Sequence, residues 1–236
     1  PIGEWRFGSL TWSDENGHYD VYSPIAVRGA LFEAPSAVSG SGTSGSASFD
    51  VSFGYTGSYS AEPHGLVPAT VTMDNVVQDP DQSFDPNDGY SNRHDFNLSG
   101  DGYFRVAMPP ESVNNPAVDL DIFVYNPNGV QVDSSTSGGT DELIEIAKPM
   151  DGTWSVYVHG WQTAGPSVDY TMWTWAISAT PGGNMSIDSA PTSATNGTVG
   201  TVDVSWTGAT AGEWHLGAVS HTGDAGLMGL TLVDVD

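Results

Sequence analysis

The sequence predicts an all-β protein built from β-sandwich modules. Two patterns support this fold class: short apolar runs alternate with polar residues on a period of two, and no segment keeps the 3.6-residue period of an amphipathic helix. The composition agrees, because 29 glycines and 15 prolines in 236 residues supply the frequent turns that antiparallel strands need. A chain of this length accommodates about two or three small modules, each with its own core.

Changes in composition divide the chain into four predicted segments: 1–33, 34–75, 76–180 and 181–236. The first contains a hairpin around a polar turn at 13–17. The second begins with a glycine- and serine-rich loop and then resumes alternation. An acidic, turn-rich stretch at 74–92 leads into the third segment, and a Thr-Pro-Gly-Gly sequence at 180–183 ends it.

A weak internal repeat connects the second and fourth segments. Residues 42–45 (Gly-Thr-Ser-Gly) and 49–53 (Phe-Asp-Val-Ser-Phe) resemble 197–200 (Gly-Thr-Val-Gly) and 202–206 (Val-Asp-Val-Ser-Trp). Either two related modules flank the central one, or the two segments are halves of one sandwich into which the central module is inserted. The second arrangement is favoured, and it predicts that 181–236 pairs with 34–75.

The clearest single strand covers residues 119–125. Its alternation predicts a core face formed by Leu120, Ile122 and Val124. The opposite face carries Asp119, Asp121, Phe123 and Tyr125. Residues 126–129 (Asn-Pro-Asn-Gly) then predict a type I turn, because proline and glycine occupy the positions where that turn favours them.

The order of these parts resembles the bacterial pre-peptidase C-terminal domain. In that family an Asp-x-Asp-aliphatic-aromatic-x-Tyr strand leads to a Pro-x-Gly turn, a Ser/Thr/Gly-rich loop and a Gly-Thr-aromatic-x-Val-x-Val strand. The matching stretches here are 119–125, 127–129, 134–140 and 152–158. The resemblance covers 76–180 and implies a jelly-roll-like sandwich appended to a secreted protease.

A second resemblance lies upstream. Residues 7–14 and 21–27 are similar to the closing hairpin of the fibronectin-like domain that follows subtilisin-type catalytic domains. Together the two resemblances imply the non-catalytic C-terminal accessory region of a secreted, extracellular subtilisin-like serine protease, with fibronectin- or immunoglobulin-like β-structure flanking the central sandwich. The implied role of this region is to assist stability, secretion or substrate positioning. The implied partner is the catalytic domain of that protease. The start at Pro1, without a signal-peptide pattern, predicts a processed or excised fragment.

No catalytic residue is predicted within the fragment. Gly42, Thr43 and Ser44 match the serine box of subtilisins for three residues only, after which the sequence continues as a strand instead of a helix. The aspartate and histidine boxes of that family are absent from the sequence, and the six histidines form no His-Glu-x-x-His pattern. The fragment is therefore predicted not to be an enzyme by itself.

Charge and cysteine content limit which classes of partner and which stabilising groups the chain can have. A formal net charge of −24 repels phosphate backbones and anionic lipids, which argues against nucleic acid and membrane partners. The sequence contains no cysteine, so disulfides cannot stabilise it outside the cell. Calcium held by Asp and Asn oxygens is an alternative means of tying loops together.

The carboxylates of Asp119 and Asp121 are candidate calcium ligands. They lie two residues apart on one strand face, with α-carbons about 7 Å apart, and repel each other unless a cation lies near them. Asp79, Asp81 and Asp85 in the acidic stretch offer further oxygen ligands. The alternative interpretation is that all five are solvated and the acidic stretch is a flexible linker.

Aromatic side chains mark a second candidate site. Tyr157, His159 and Trp161 alternate with the apolar residues of the 152–158 strand and its continuation. A face of this kind stacks on sugars or contacts a protein ligand, which predicts binding of polysaccharide or fibrous protein. The alternative is that these side chains pack against a neighbouring module.

Overall fold

The computed structural model describes residues 4–236, in which strands predominate, so the predicted all-β fold class is confirmed. In chain order the first strands are β1 (Trp5–Ser13), β2 (Asp20–Arg28), β3 (Phe32–Glu33), β4 (Ala37–Gly40), β5 (Ser44–Phe53), β6 (Gly57–Pro68), β7 (Thr70–Val77), β8 (Ser91–Leu98) and β9 (Asp101–Met108). A short 3₁₀ helix at Pro110–Ser112 follows β9.

The remaining strands are β10 (Asp119–Tyr125), β11 (Gln131–Ser135), β12 (Glu142–Ala147), β13 (Gly152–Gln162), β14 (Ser167–Ser178), β15 (Met185–Ser189), β16 (Ser193–Ala194), β17 (Val199–Thr207), β18 (His215–Gly223) and β19 (Gly226–Val235). Within residues 4–236 no helix has the length and hydropathy needed to cross a lipid bilayer.

Strands β7 to β14 form the central sandwich. One sheet has the order β11-β10-β13-β8 and the other β12-β9-β14-β7. Leu120, Ile122 and Val124 are completely buried between the sheets, as the alternation predicted, and belong to one core with Phe104 and Met172. Strand β7 begins ahead of the boundary predicted at residue 76.

The predicted turn after β10 is also present. The amide N of Gly129 donates to the carbonyl O of Asn126 at 2.9 Å, which closes the turn. Gly129 has φ of 73°, a left-handed conformation that glycine adopts without steric cost. The turn returns the chain into β11, which pairs with β10.

Strands from both ends of the sequence form a second pair of sheets, β15-β17-β5-β3 and β16-β6-β18-β19-β4. The two copies of the repeat, β5 and β17, lie side by side and antiparallel, with Phe49 opposite Val202. The Trp206 ring fills the core above Gly45, where a Cβ atom would approach the ring to 2.5 Å. The division of the chain at residues 33, 75 and 180 stays a prediction.

The two sandwiches contact each other through an apolar patch on β9, β14, β18 and β19. Trp175 is buried there with Leu216 and Leu232. The Trp175 Nε1 donates to the carbonyl O of Trp214 at 3.3 Å. Arg105 lies at the edge of the patch and forms ion pairs with Glu145 at 2.7 Å and with Asp234 at 3.2 Å. β14 contributes to two cores, with Met172 in the central sandwich and Trp175 in this patch.

The N-terminal hairpin consists of β1 and β2, which pair from Trp5 opposite Arg28 to Ser13 opposite Asp20. Its large apolar side chains are exposed, with Phe7 at 79%. The resemblance of this hairpin to a fibronectin-like domain stays a prediction. The predicted processing at Pro1 lies outside the described residues.

Candidate binding site

The two candidate sets of residues meet at one place because β10 and β13 are neighbours. Their antiparallel register sets Asp121 opposite His159, and Phe123 opposite Tyr157. The carboxylates suggested as metal ligands and the aromatic residues suggested as a binding face therefore lie on the same side of one sheet. The acidic segment that follows β7 covers this side.

His159 lies between two carboxylates. Its Nε2 is 2.8 Å from Oδ2 of Asp79, and its Nδ1 is 3.3 Å from Oδ2 of Asp121. His159 is completely buried, and the two aspartates are 1% and 5% exposed. The imidazole thus lies beside Asp121, one of the two carboxylates near which the sequence suggested a cation. It does not face solvent, in contrast to the expectation of an imidazole on an exposed binding face.

Electrostatics favour the charged forms of His159 and Asp79. Burial by itself lowers the pKa of His159, but hydrogen bonds to Asp121 and Asp79 and their negative charges outweigh it, so the pKa is raised. Burial acts to raise the pKa of Asp79, whereas the hydrogen bond with His159 and two backbone N–H groups lower it, and the net shift is downward. The imidazolium form of His159 is therefore favoured, and in that form it neutralises part of a buried negative cluster.

The acidic segment is folded over the end of β13 by specific hydrogen bonds. The carboxylate of Asp79 accepts the backbone N–H of Asp81 at 3.1 Å and of Ser83 at 2.9 Å. The side-chain amide of Gln78 donates to the carbonyl O of Trp161 at 2.8 Å. These bonds connect residues 78–83 to one another and to the end of β13.

The other two predicted metal ligands in the acidic segment, Asp81 and Asp85, contact backbone groups of that segment. Asp81 accepts the backbone N–H of Ser83 at 3.1 Å, and Asp85 accepts that of Asn87 at 2.9 Å. Both carboxylates are exposed. Of the five predicted metal ligands, Asp79 and Asp121 share His159, and Asp119 lies beside Asp121 on β10.

Phe84 completes the site and was missed by the sequence analysis. Its ring stacks on Phe123 with centroids 3.7 Å apart and planes 5° from parallel. It also meets Tyr157 edge to face at 5.7 Å. Trp161 lies edge to face on His159 at 6.3 Å and is 37% exposed. The available signal for Phe84 was its position as one of two aromatic residues, with Tyr90, in a polar, acidic stretch.

Several of these side chains line an open pocket of about 400 Å³. Its lining consists of Phe84, Asp119, Asp121, Phe123, Thr136, Ser137, Gly138 and Trp161. The structure therefore brings three of the predicted site residues, Asp119, Asp121 and Trp161, into one cavity. Tyr157 supports the wall through its contact with Phe84.

Two carboxylate oxygens at this site are shielded and have no hydrogen-bond partner among the described residues. They are Oδ1 of Asp119 and Oε2 of Glu142. Burial raises the pKa of both groups, and the negative charge of Asp121 adds to each shift. Glu142, which is 1% exposed, was not anticipated; its other oxygen accepts the hydroxyl of Ser137 at 2.8 Å.

Calcium binding stays a prediction. Across residues 4–236 the structure contains no group of three or more histidine, aspartate or glutamate side chains arranged to hold a metal ion. The chemistry that the pocket offers directly is different: aromatic surface for stacking and carboxylate oxygens that accept hydrogen bonds.

Comparison with known proteins adds a family match for part of the chain. Residues 90–160 match the model of the bacterial pre-peptidase C-terminal domain. Domains of this family are non-catalytic and lie at the C-termini of secreted proteases. The matched residues contain β10 and most of β13, which carry the predicted site residues from Asp119 to His159. No curated protein matches the sequence.

Several solved structures are similar at low identity. The pre-peptidase C-terminal domain of collagenase from Bacillus anthracis is 9% identical, with 46% of this chain and 90% of that chain covered and a TM-score of 0.34. Tripeptidyl peptidase 2 is 9% identical over 93% of this chain and 23% of its own, with a TM-score of 0.33. A family 32 carbohydrate-binding module of C. perfringens NanJ, in complex with galactose, is 12% identical, with 46% and 98% covered and a TM-score of 0.23.

Proposed function

We propose that the chain is a non-catalytic accessory region of a secreted, extracellular subtilisin-like serine protease, and that it positions protein substrate for the catalytic domain. The observation that carries this proposal is the match of residues 90–160 to a family of protease accessory domains. The pocket beside β10 and β13 supplies the contact surface. The partners are the catalytic domain of the protease and its substrate.

The chemistry of the pocket supports a binding role. Exposed aromatic rings give a large contact area at low cost in side-chain entropy, and adjacent carboxylates orient a ligand through hydrogen bonds. Trp161 offers its ring at the rim, while the stacked pair of Phe84 and Phe123 forms a rigid wall. Binding requires little rearrangement, because the bonds from Gln78 and Asp79 already hold the covering segment in place.

The second candidate function is a binding module for polysaccharide or fibrous protein. The exposed ring of Trp161 next to the carboxylates of Asp119 and Asp121 favours it, since sugars stack on aromatic rings and donate hydroxyl protons to carboxylates. The two candidates differ in the ligand that the pocket retains.

Replacing Trp161 with alanine is expected to release the protein from an insoluble substrate. The measurement is the bound fraction on insoluble collagen, chitin and cellulose for the native chain and for Trp161→Ala. The matched control is Trp12→Ala, which removes another exposed tryptophan, 63% exposed, from the separate hairpin. Retention on collagen that only Trp161→Ala loses agrees with the first function and with the fibrous-protein form of the second, whereas such retention on chitin or cellulose supports the polysaccharide form of the second. Equal retention of all three proteins contradicts both.

The calcium proposal has its own test. Calorimetric titration of metal-stripped protein with calcium is expected to show heat of binding that decreases in Asp119→Asn. The melting temperature should rise with millimolar calcium, because a ligand that binds only the folded state stabilises it. Absence of both effects would end the assignment of calcium to Asp79, Asp81, Asp85, Asp119 and Asp121.

A further inference from the structure

We propose that the pocket formed by Phe84, Phe123, Trp161 and the two β10 aspartates receives a cationic side chain, lysine or arginine, of a protein substrate. This inference rests on the proposed substrate-positioning function and names the group that the pocket takes. It follows from a combination that the cavity presents: aromatic walls, carboxylates, and a shielded oxygen without a partner.

The carboxylates of the pocket require a donor. A carboxylate only accepts hydrogen bonds, and a shielded oxygen without a partner loses the solvation that it had in water. Oδ2 of Asp121 contacts His159, which also contacts Asp79. Oδ1 of Asp119 has no hydrogen-bond partner among residues 4–236. An ammonium or guanidinium group entering the cavity would supply the missing hydrogen bond together with a positive charge.

The aromatic walls favour an organic cation over a metal ion. Calcium takes about six to eight oxygen ligands, whereas three of the eight residues that line this cavity present aromatic carbon. A lysine or arginine side chain uses both kinds of wall, because its methylene groups pack on the rings and its cationic end is attracted to ring faces and carboxylates.

Charge favours a basic ligand over a neutral sugar. The chain has 29 acidic and 5 basic side chains, so its field attracts cations before contact. The site sets the carboxylates of Asp79 and Asp121 against His159 and adds the carboxylates of Asp119 and Glu142, so acidic groups outnumber this basic one. A neutral sugar carries no net charge, so this field does not attract it.

The test compares cationic probes with uncharged probes of the same shape. The probes are the N-acetyl amides of lysine and norleucine, and of arginine and citrulline, titrated into ¹⁵N-labelled protein. Lysine and arginine are expected to shift the indole N–H resonance of Trp161, and each should bind about tenfold or more tightly than its uncharged analogue. Raising the salt concentration from about 50 to about 500 mM should weaken only the cationic probes.

Asp119→Asn removes the charge while keeping the shape, and it is expected to abolish the preference for cationic probes. Asp141→Asn, an exposed aspartate outside the cavity, should leave that preference unchanged. Norleucine binding should persist in Asp119→Asn, which shows that the pocket is still folded.

Norleucine and lysine binding equally well would overturn this inference, as would a preference for glucosamine oligomers over lysyl peptides. The proposed function is tested separately by retention on insoluble substrate. If Trp161→Ala abolishes retention on collagen but the native protein shows no preference for cationic probes, the proposed function is supported and only the cationic ligand is contradicted.

Discussion

Replacing His159 with alanine is expected to lower the free energy of unfolding of the central sandwich by about 3–5 kcal/mol, the loss typical when one partner of a buried ion pair is removed. Asp79 and Asp121 would then remain buried without a cation. The substitution also leaves a void beside Phe84 and Trp161. Urea unfolding followed by circular dichroism measures the effect.

Two comparisons identify the source of this loss. His18→Ala removes an exposed histidine whose side chain is 70% accessible, and it should change stability little. The double substitution Asp79→Asn with His159→Gln should lower the free energy of unfolding by less than the sum of the two single substitutions, because both partners of the pair are removed together. A loss below about 1 kcal/mol in His159→Ala, the size of an exposed ion pair, would contradict the assigned role.

The second large effect is a loss of stability in acid caused by His221. This histidine is completely buried, and burial lowers its pKa from 6.5 to about 4. In the unfolded chain it takes up a proton near pH 6.5, while in the folded protein it stays neutral until about pH 4. The folded state is therefore favoured above pH 6.5 and loses stability as the pH falls, by about 3 kcal/mol between the two values.

The surroundings of His221 explain why it resists protonation. The Thr231 hydroxyl donates to the carbonyl O of Pro35 at 2.8 Å, so it accepts a proton from Nε2 of His221 at 2.9 Å. Nδ1 is then left to accept the hydroxyl proton of Tyr59 at 2.8 Å. The neutral imidazole satisfies every partner, and a second ring proton would displace the Tyr59 hydrogen bond.

Urea unfolding at several pH values between 7 and 4 tests this effect. His221→Gln is expected to be less stable than the native chain near neutral pH, because it loses packing, and to show a flatter decline toward pH 4. The matched control is His18→Gln, which should follow the native curve. An equally steep decline in His221→Gln would mean that other groups cause the acid sensitivity.

Local signals in the sequence predicted which faces are buried. The period-two alternation of β10 identified Leu120, Ile122 and Val124 because a strand with one buried face repeats its apolar side chains at every second position. The turn at 126–129 was predictable for a similar reason, since proline and glycine have narrow conformational preferences. Both signals are properties of a few adjacent residues.

The geometry of the site depends on pairing that no local pattern encodes. Asp121 meets His159 across 38 residues of sequence, and a shift of one residue in the strand register would separate them. Alternation did set both on the same face, but their burial comes from the segment that carries Asp79 and Phe84. That segment has no periodicity, so neither its path nor the stacking of Phe84 on Phe123 could be predicted.

The most direct test of the binding role is an unbiased map of the contact surface. Soluble collagen-derived peptides titrated into ¹⁵N-labelled protein should perturb amide resonances clustered at residues 84, 119–123, 136–138 and 159–161. That result would locate substrate at the pocket between the acidic segment and the β10-β13 pair. Perturbations confined to the hairpin or to the sandwich of β5 and β17, with the pocket unaffected, would contradict the account.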